Sequence, residues 1–133
     1  FGPEVTRRMI IGGFVPSAGH AGKYFLKAMK VKSKLTKEIN EAFKKFDFLI
    51  APTVPILPFK VGEKINDPVA LFLVDINTVT ANLTGKPAIS IPFAISNGLP
   101  IGMQLFADSM QDKSLLQAAY ALEQTVKLPE VPI

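Results

Sequence analysis

"AISIPFAISNGLPIGMQLFA" (residues 88–107) holds two apolar runs, 88–95 and 101–107, around Asn97–Gly98. Both runs are rich in isoleucine and phenylalanine, which suits strands. Asparagine and glycine both tolerate positive φ, the requirement of a two-residue hairpin turn. The stretch therefore predicts an antiparallel hairpin.

Immediately before it stands "DPVALFLVDINTVTANLTGKP" (67–87). Asp67 suits an N-cap and Pro68 the first helical position. Val69, Phe72, Leu73, Ile76, Val79 and Leu83 recur at helical spacing, and Gly85 followed by Pro87 is a stop signal. One helix is expected over 68–84. On it Asp75, Thr78 and Asn82 share a polar face. Two readings of that face stand side by side. It is solvated or satisfied by nearby backbone, or Asp75 meets a cation or donor, because an unpartnered buried carboxylate is costly.

Further upstream, "DFLIAPT" (47–53) reads as a short buried strand. "VPILPFKVGEKIN" (54–66), with Pro55 and Pro58, reads as an extended loop. Residues 23–46 carry Tyr24, Ala28, Val31, Leu35, Ile39, Ala42 and Phe46 at helical steps. "VPSAGHAG" (15–22) reads as a linker, and "GPEVTRRMIIGG" (2–13) as a short helix with Glu4 in its first turn. Downstream of the hairpin, a last helix is expected from an Asp112 N-cap. Its apolar stripe is Leu115, Ala119, Leu122 and Val126, and "LPEVPI" follows as a tail. The fold class is α/β, with helices packed around a few central strands including a hairpin.

The chain has 133 residues, 48% of them apolar. A small domain buries a smaller share of its surface than a large one. So short and greasy a chain is expected to keep apolar surface for another part of a larger protein. No apolar run reaches the length of a membrane span. The absence of cysteine excludes a disulfide framework and thiolate metal sites, which fits a cytoplasmic setting.

Eight lysines crowd residues 23–45, although the net charge of the whole chain is only +4. Glu38 and Glu41 interrupt them and no aromatic residue is interleaved on the lysine face. The segment is therefore read as a solvated helix face rather than a stripe that follows nucleic acid. His20, the single histidine, has no second ligand for a metal. The serines stand outside any glycine-rich elbow, so no nucleophile and base can be paired. Arg7–Arg8 reads as a surface pair, although an arginine fork also suits a carboxylate.

Taken together, "FGPEVTRRMIIGG", "FDFLIAPTVP" and "DPVALFLVDINTVTANLTGKPAISIPFAISNGLPIGMQLFA" resemble the C-terminal part of the amidase-signature family. Within it, they are most similar to the A subunits of tRNA-dependent amidotransferases that act on glutamyl-tRNA(Gln). The resemblance covers nearly all of residues 1–133 and implies a piece of that family's mixed-sheet fold. It implies a parent enzyme with a Ser–cis-Ser–Lys triad that hydrolyses glutamine. The ammonia would convert Glu-tRNA(Gln) or Asp-tRNA(Asn) to the amidated form. The triad lies upstream in the family. No catalytic residue is therefore expected in this chain, no metal or cofactor either, and the fragment alone is expected to be inactive. ATP and magnesium would be used by a partner in the complex. The implied partners are the B and C subunits, glutamine and, through the complex, aminoacyl-tRNA, with no membrane.

Two substrate-binding residues carry over. Arg8 matches the arginine that grips the α-carboxylate of glutamine, and Asp75 the aspartate that holds its α-ammonium. Two departures are visible. "SAGHAGKYF" stands where many relatives have a Tyr-Tyr-Asp cluster, and Lys86 stands where an apolar residue is common. The alternatives are a fragment of another amidase acting on small amides and a non-catalytic interaction module.

Overall fold

A computed structural model describes residues 1–14, 16, 21–62 and 68–126. Among these the chain forms two compact units, 1–38 and 39–133.

The first unit is helical. Helix α1 spans Pro3–Phe14 and is opened by Pro3 with Glu4 in its first turn, as the sequence predicts. A π-helical turn, Ala21–Phe25, leads into α2, Leu26–Phe43, which runs across the boundary into the second unit. Neither α1 nor α2 has a buried residue. Met9, Ile10, Phe14 and Val31 are exposed, while Leu35, Ile39 and Ala42 are half-buried. The apolar faces are present but largely uncovered, as the composition leads one to expect.

The second unit is built on a three-stranded antiparallel sheet. Strands β1 (Phe48–Pro52), β2 (Ala88–Ser96) and β3 (Leu99–Ala107) lie in the order β1-β3-β2. The expected hairpin is present. Its turn has φ of 52° at Asn97 and 75° at Gly98, the positive pair of a type I′ turn. The ladder slips between Pro92 and Ala94, leaving a bulge at Phe93. Among the described residues strand β1 lies at the edge of the sheet and is half-buried, with Ile50 64% exposed, which corrects the buried strand expected there. Its apolar run has, among those residues, a neighbouring strand on one side only.

The expected single helix over 68–84 is also corrected. The chain forms α3, Pro68–Val74, and α4, Val79–Thr84, separated by a turn over 75–78. The tightened bonds Asp75 N–H to Phe72 O and Ile76 N–H to Leu73 O, both 3.3 Å, close α3. Asp, Asn and Thr are poor helix formers because their short polar side chains bond to backbone instead. Here Thr78 Oγ1 donates to Asp75 O at 3.1 Å, and Asn77 Nδ2 to Pro52 O at 3.1 Å. Asp75, Thr78 and Asn82 therefore do not form one continuous helical stripe. Gly85 caps α4 as expected, at φ 66°, with its N–H on Ala81 O.

Helix α5 is Asp112–Thr125. Gln111 is its N-cap and Asp112 lies in the first turn, which corrects the expected cap by one residue. Its side Leu115, Ala118, Ala119 and Leu122 packs on Phe48, Ile89, Ile91, Leu105 and Ala107 to form the core. By the register these strand residues all fall on one face of the sheet. Asp67, His20 and the 128–133 tail lie outside the described residues. Among those described, no helix is long and apolar enough to cross a membrane.

Candidate functional site

The face of the sheet opposite α5 is different in kind. Thr53, Ser90, Gly102 and Gln104 follow the alternation onto this side, together with Leu49, Ala51 and Phe106. Thr53 Oγ1 and Ser90 Oγ are 2.5 Å apart and share a hydrogen bond. Gln104, 3% exposed, donates from Nε2 to Pro52 O at 3.2 Å. That carbonyl thus accepts from both Gln104 and Asn77, using both of its lone pairs.

Helix α4 and the turn before it border this face, leaving two clefts. A cleft of about 300 Å³ is lined by polar side chains of Thr53, Thr78, Asn82, Ser90 and Gln104, with Lys86 at its wall. An adjoining one of about 230 Å³ is more apolar and includes Ile39, Leu49, Ile76 and Phe106. A larger cavity, about 470 Å³, opens between Phe43, Phe48, Asp108 and Ser114 and contains neither sequence-predicted site residue.

Gly102 fixes the shape of the polar cleft's floor. A Cβ there would lie 2.9 Å from Thr53 Oγ1 and 3.0 Å from Ser90 Oγ. Only glycine lets the two hydroxyls meet over this strand.

Lys86 is a buried cation. Its side chain is 5% exposed, with Nζ 2.5 Å from Asp108 Oδ1, 3.1 Å from Ser109 Oγ and 5.6 Å from the centre of the Phe43 ring. The stem occupies an apolar position while the tip is paired, which explains how lysine fits where an apolar residue would serve. The hydrogen bond from Lys86 holds the Asp108 carboxyl below the usual aspartate range, helped by the Ser109 N–H at 2.7 Å.

Of the sequence-predicted site residues, Asp75 lies in the turn between α3 and α4 and is exposed. Arg8 lies on α1, in the other unit, where its Nε donates to Glu4 Oε1 at 2.8 Å. Arg7 binds the same carboxylate through two bonds, and together the arginines lower the Glu4 pKa to about 2. Asn77 and Thr78 have the local structural roles described above.

The polar cleft can bind, through hydroxyls and amides, and within it the Ser90 hydroxyl is hydrogen-bonded to that of Thr53. No group of three His, Cys, Asp or Glu among the described residues is arranged for a metal. Sequence reasoning missed the Thr53–Ser90–Gln104 cluster. Its signal was available: Ser90 and Gln104 interrupt otherwise apolar strands, and both fall on the same side by alternation.

Comparison with known proteins agrees with this architecture. The amidase family model matches residues 1–116. The A subunit of the glutamyl-tRNA(Gln) amidotransferase from Cenarchaeum symbiosum is 60% identical over 132 residues, covering 99% of this chain and 28% of that protein. The protein of the same name from Saccharolobus solfataricus is 45% identical over 126 residues, covering 95% of this chain and 26% of its own length. The crystal structure of the corresponding A subunit from Thermotoga maritima superposes with a TM-score of 0.76 at 43% identity, over 100% of this chain and 31% of that one. The chain thus spans little more than a quarter of the length of the curated relatives it matches. Residues 1–116 include both of the expected substrate residues and the whole sheet, and on that match the chain belongs to the amidase family.

Proposed function

We propose that residues 1–133 are the C-terminal, glutamine-binding part of the A subunit of a tRNA-dependent amidotransferase. The observation that carries this reading is the 60% identity to the Cenarchaeum symbiosum protein across 99% of the chain. The parent hydrolyses glutamine with a Ser–cis-Ser–Lys triad contributed by an upstream portion. Its ammonia converts Glu-tRNA(Gln) or Asp-tRNA(Asn) to the amidated form. The B and C subunits complete the complex, and one of these partners uses ATP with magnesium. The setting is cytoplasmic.

In this reading Arg8 and Asp75 form the two ends of a clamp for a free amino acid. A guanidinium fork meets the α-carboxylate, and a carboxylate meets the α-ammonium. The chemistry favours glutamine over a simple amide, which has no α-carboxylate to grip. Ser90 is not the nucleophile, and the fragment by itself is inactive.

The test is steady-state kinetics of the full-length protein in its complex. Arg8→Ala and Asp75→Ala each raise KM for glutamine about tenfold or more, the scale of a lost charge-assisted contact. An unchanged KM in either variant removes that residue from the clamp. Turnover of glutamine by pure 1–133 would contradict its inactivity.

A further inference from the structure

Four lysines share one side of α2. Lys27, Lys30, Lys34 and Lys37 lie within one uninterrupted helix, Leu26–Phe43. At 3.6 residues per turn they fall within an arc of about 80° and, at 1.5 Å per residue, along about 15 Å of the axis. The sequence reads this segment as a solvated face interrupted by Glu38 and Glu41, and these four lysines form a row within that face. All four are exposed. Among the described residues, Lys27, Lys30 and Lys37 have no carboxylate within ion-pair distance. Lys34 reaches Glu38 only at 3.8 Å, with side chains 79% and 63% exposed, so water screens that pair and leaves the charge available. Glu41, on the same side, is engaged by Lys44 at 2.7 Å.

The charge is also concentrated. Residues 23–45 hold eight lysines and two glutamates, more positive charge than the +4 of the whole chain, so the remainder is net acidic. A basic row on an otherwise acidic chain is the footprint of a polyanion contact. The row contains no aromatic side chain, so it follows phosphates without reading bases. An anionic membrane would need the opposite, apolar face of the helix as well. That face is in use at its C-terminal end: Ile39 lines a cleft over the sheet, and the Phe43 ring lies under Lys86.

We infer that the Lys27–Lys30–Lys34–Lys37 row of α2 is a sequence-independent contact for an RNA backbone. The choice of RNA rests on the amidotransferase reading above; the basic row does not.

The experiment uses the full-length protein in its complex and an unmodified tRNA(Gln) transcript, with binding followed by fluorescence anisotropy at several salt concentrations. The quadruple variant Lys27→Gln, Lys30→Gln, Lys34→Gln, Lys37→Gln is expected to weaken binding about tenfold or more. It lowers the slope of log K against log salt by about 3, since each phosphate contact contributes close to one unit. The matching quadruple arginine variant keeps wild-type affinity and slope, because it keeps the charge. Glutamine hydrolysis without RNA stays unchanged in both, since none of the four residues belongs to the clamp. Unchanged affinity and slope in the glutamine variant overturn the inference. So does a variant that binds RNA normally but loses binding to phosphatidylserine vesicles. A wild-type complex without glutamine hydrolysis refutes the proposed function instead, while the RNA titration still reads the lysine row.

Discussion

The two faces of the three-stranded sheet follow opposite rules. One is apolar: Ile91, Leu105 and Ala107 meet Leu115 and Ala119, with Phe48, Ile89, Ala118 and Leu122 packed against them. The other carries Thr53, Ser90 and Gln104, satisfied by one another and by the Pro52 carbonyl. The same strands supply both faces, because successive residues point to opposite sides. Stability is therefore concentrated on the α5 side and binding capacity on the α4 side.

The largest expected effect tests the apolar face. Leu105→Ala should cost about 2–5 kcal/mol in urea unfolding, the range for a buried leucine truncated in a packed core. Ser90→Ala on the other face should cost about 1 kcal/mol, a single hydrogen bond. Equal losses would erase the distinction between the faces.

Gly102→Ala comes next and probes the polar face directly. The new methyl meets both hydroxyls, and overpacking of this kind costs about 1–3 kcal/mol. Combining it with Ser90→Ala should recover part of the loss, read as a non-additive double-mutant cycle. Strict additivity would mean that the strand shifts instead of the hydroxyl pair parting.

The smallest effect concerns the Lys86–Asp108 pair. The Asp108 carboxyl has a lower pKa in the folded chain than in the unfolded one. Its contribution is then fully present above the usual aspartate range near 3.8 and is lost as pH falls through the lowered folded value. Asp108 is 54% exposed, so solvent screens the pair and keeps its contribution small. Lys86→Met should flatten this part of the acid-unfolding curve and leave stability at pH 7 nearly unchanged. A large loss at pH 7 would show that the pair does more than fill an apolar position.

These contrasts also explain what the sequence could disclose. The hairpin was legible because Asn97–Gly98 is a local signal with a single geometric solution. The α5 stripe was legible because Leu115, Ala119 and Leu122 keep one period. The break at 75–78 was not, because its apolar positions keep helical spacing while Asn77 bonds to a carbonyl 25 residues away. The edge position of β1 depends on which strands pair, which an apolar run does not encode. Arg8 and Asp75 were named through family resemblance alone, since residues in separate units have no local pattern in common. The Thr53–Ser90 contact required the register of the sheet, although the interruptions at Ser90 and Gln104 were already in the sequence.

The irregularity in β2 has a further consequence for solubility. β1 and β2 are the two outer strands of the described sheet, so each presents an unshared row of backbone groups. In β2 that row is cut by Pro92, which has no N–H, and by the bulge at Phe93. What remains are runs of four residues, 88–91, and three, 94–96. Neither is long enough to template an invading strand. A chain that leaves this much apolar surface uncovered is thus guarded against amyloid-like growth along that margin.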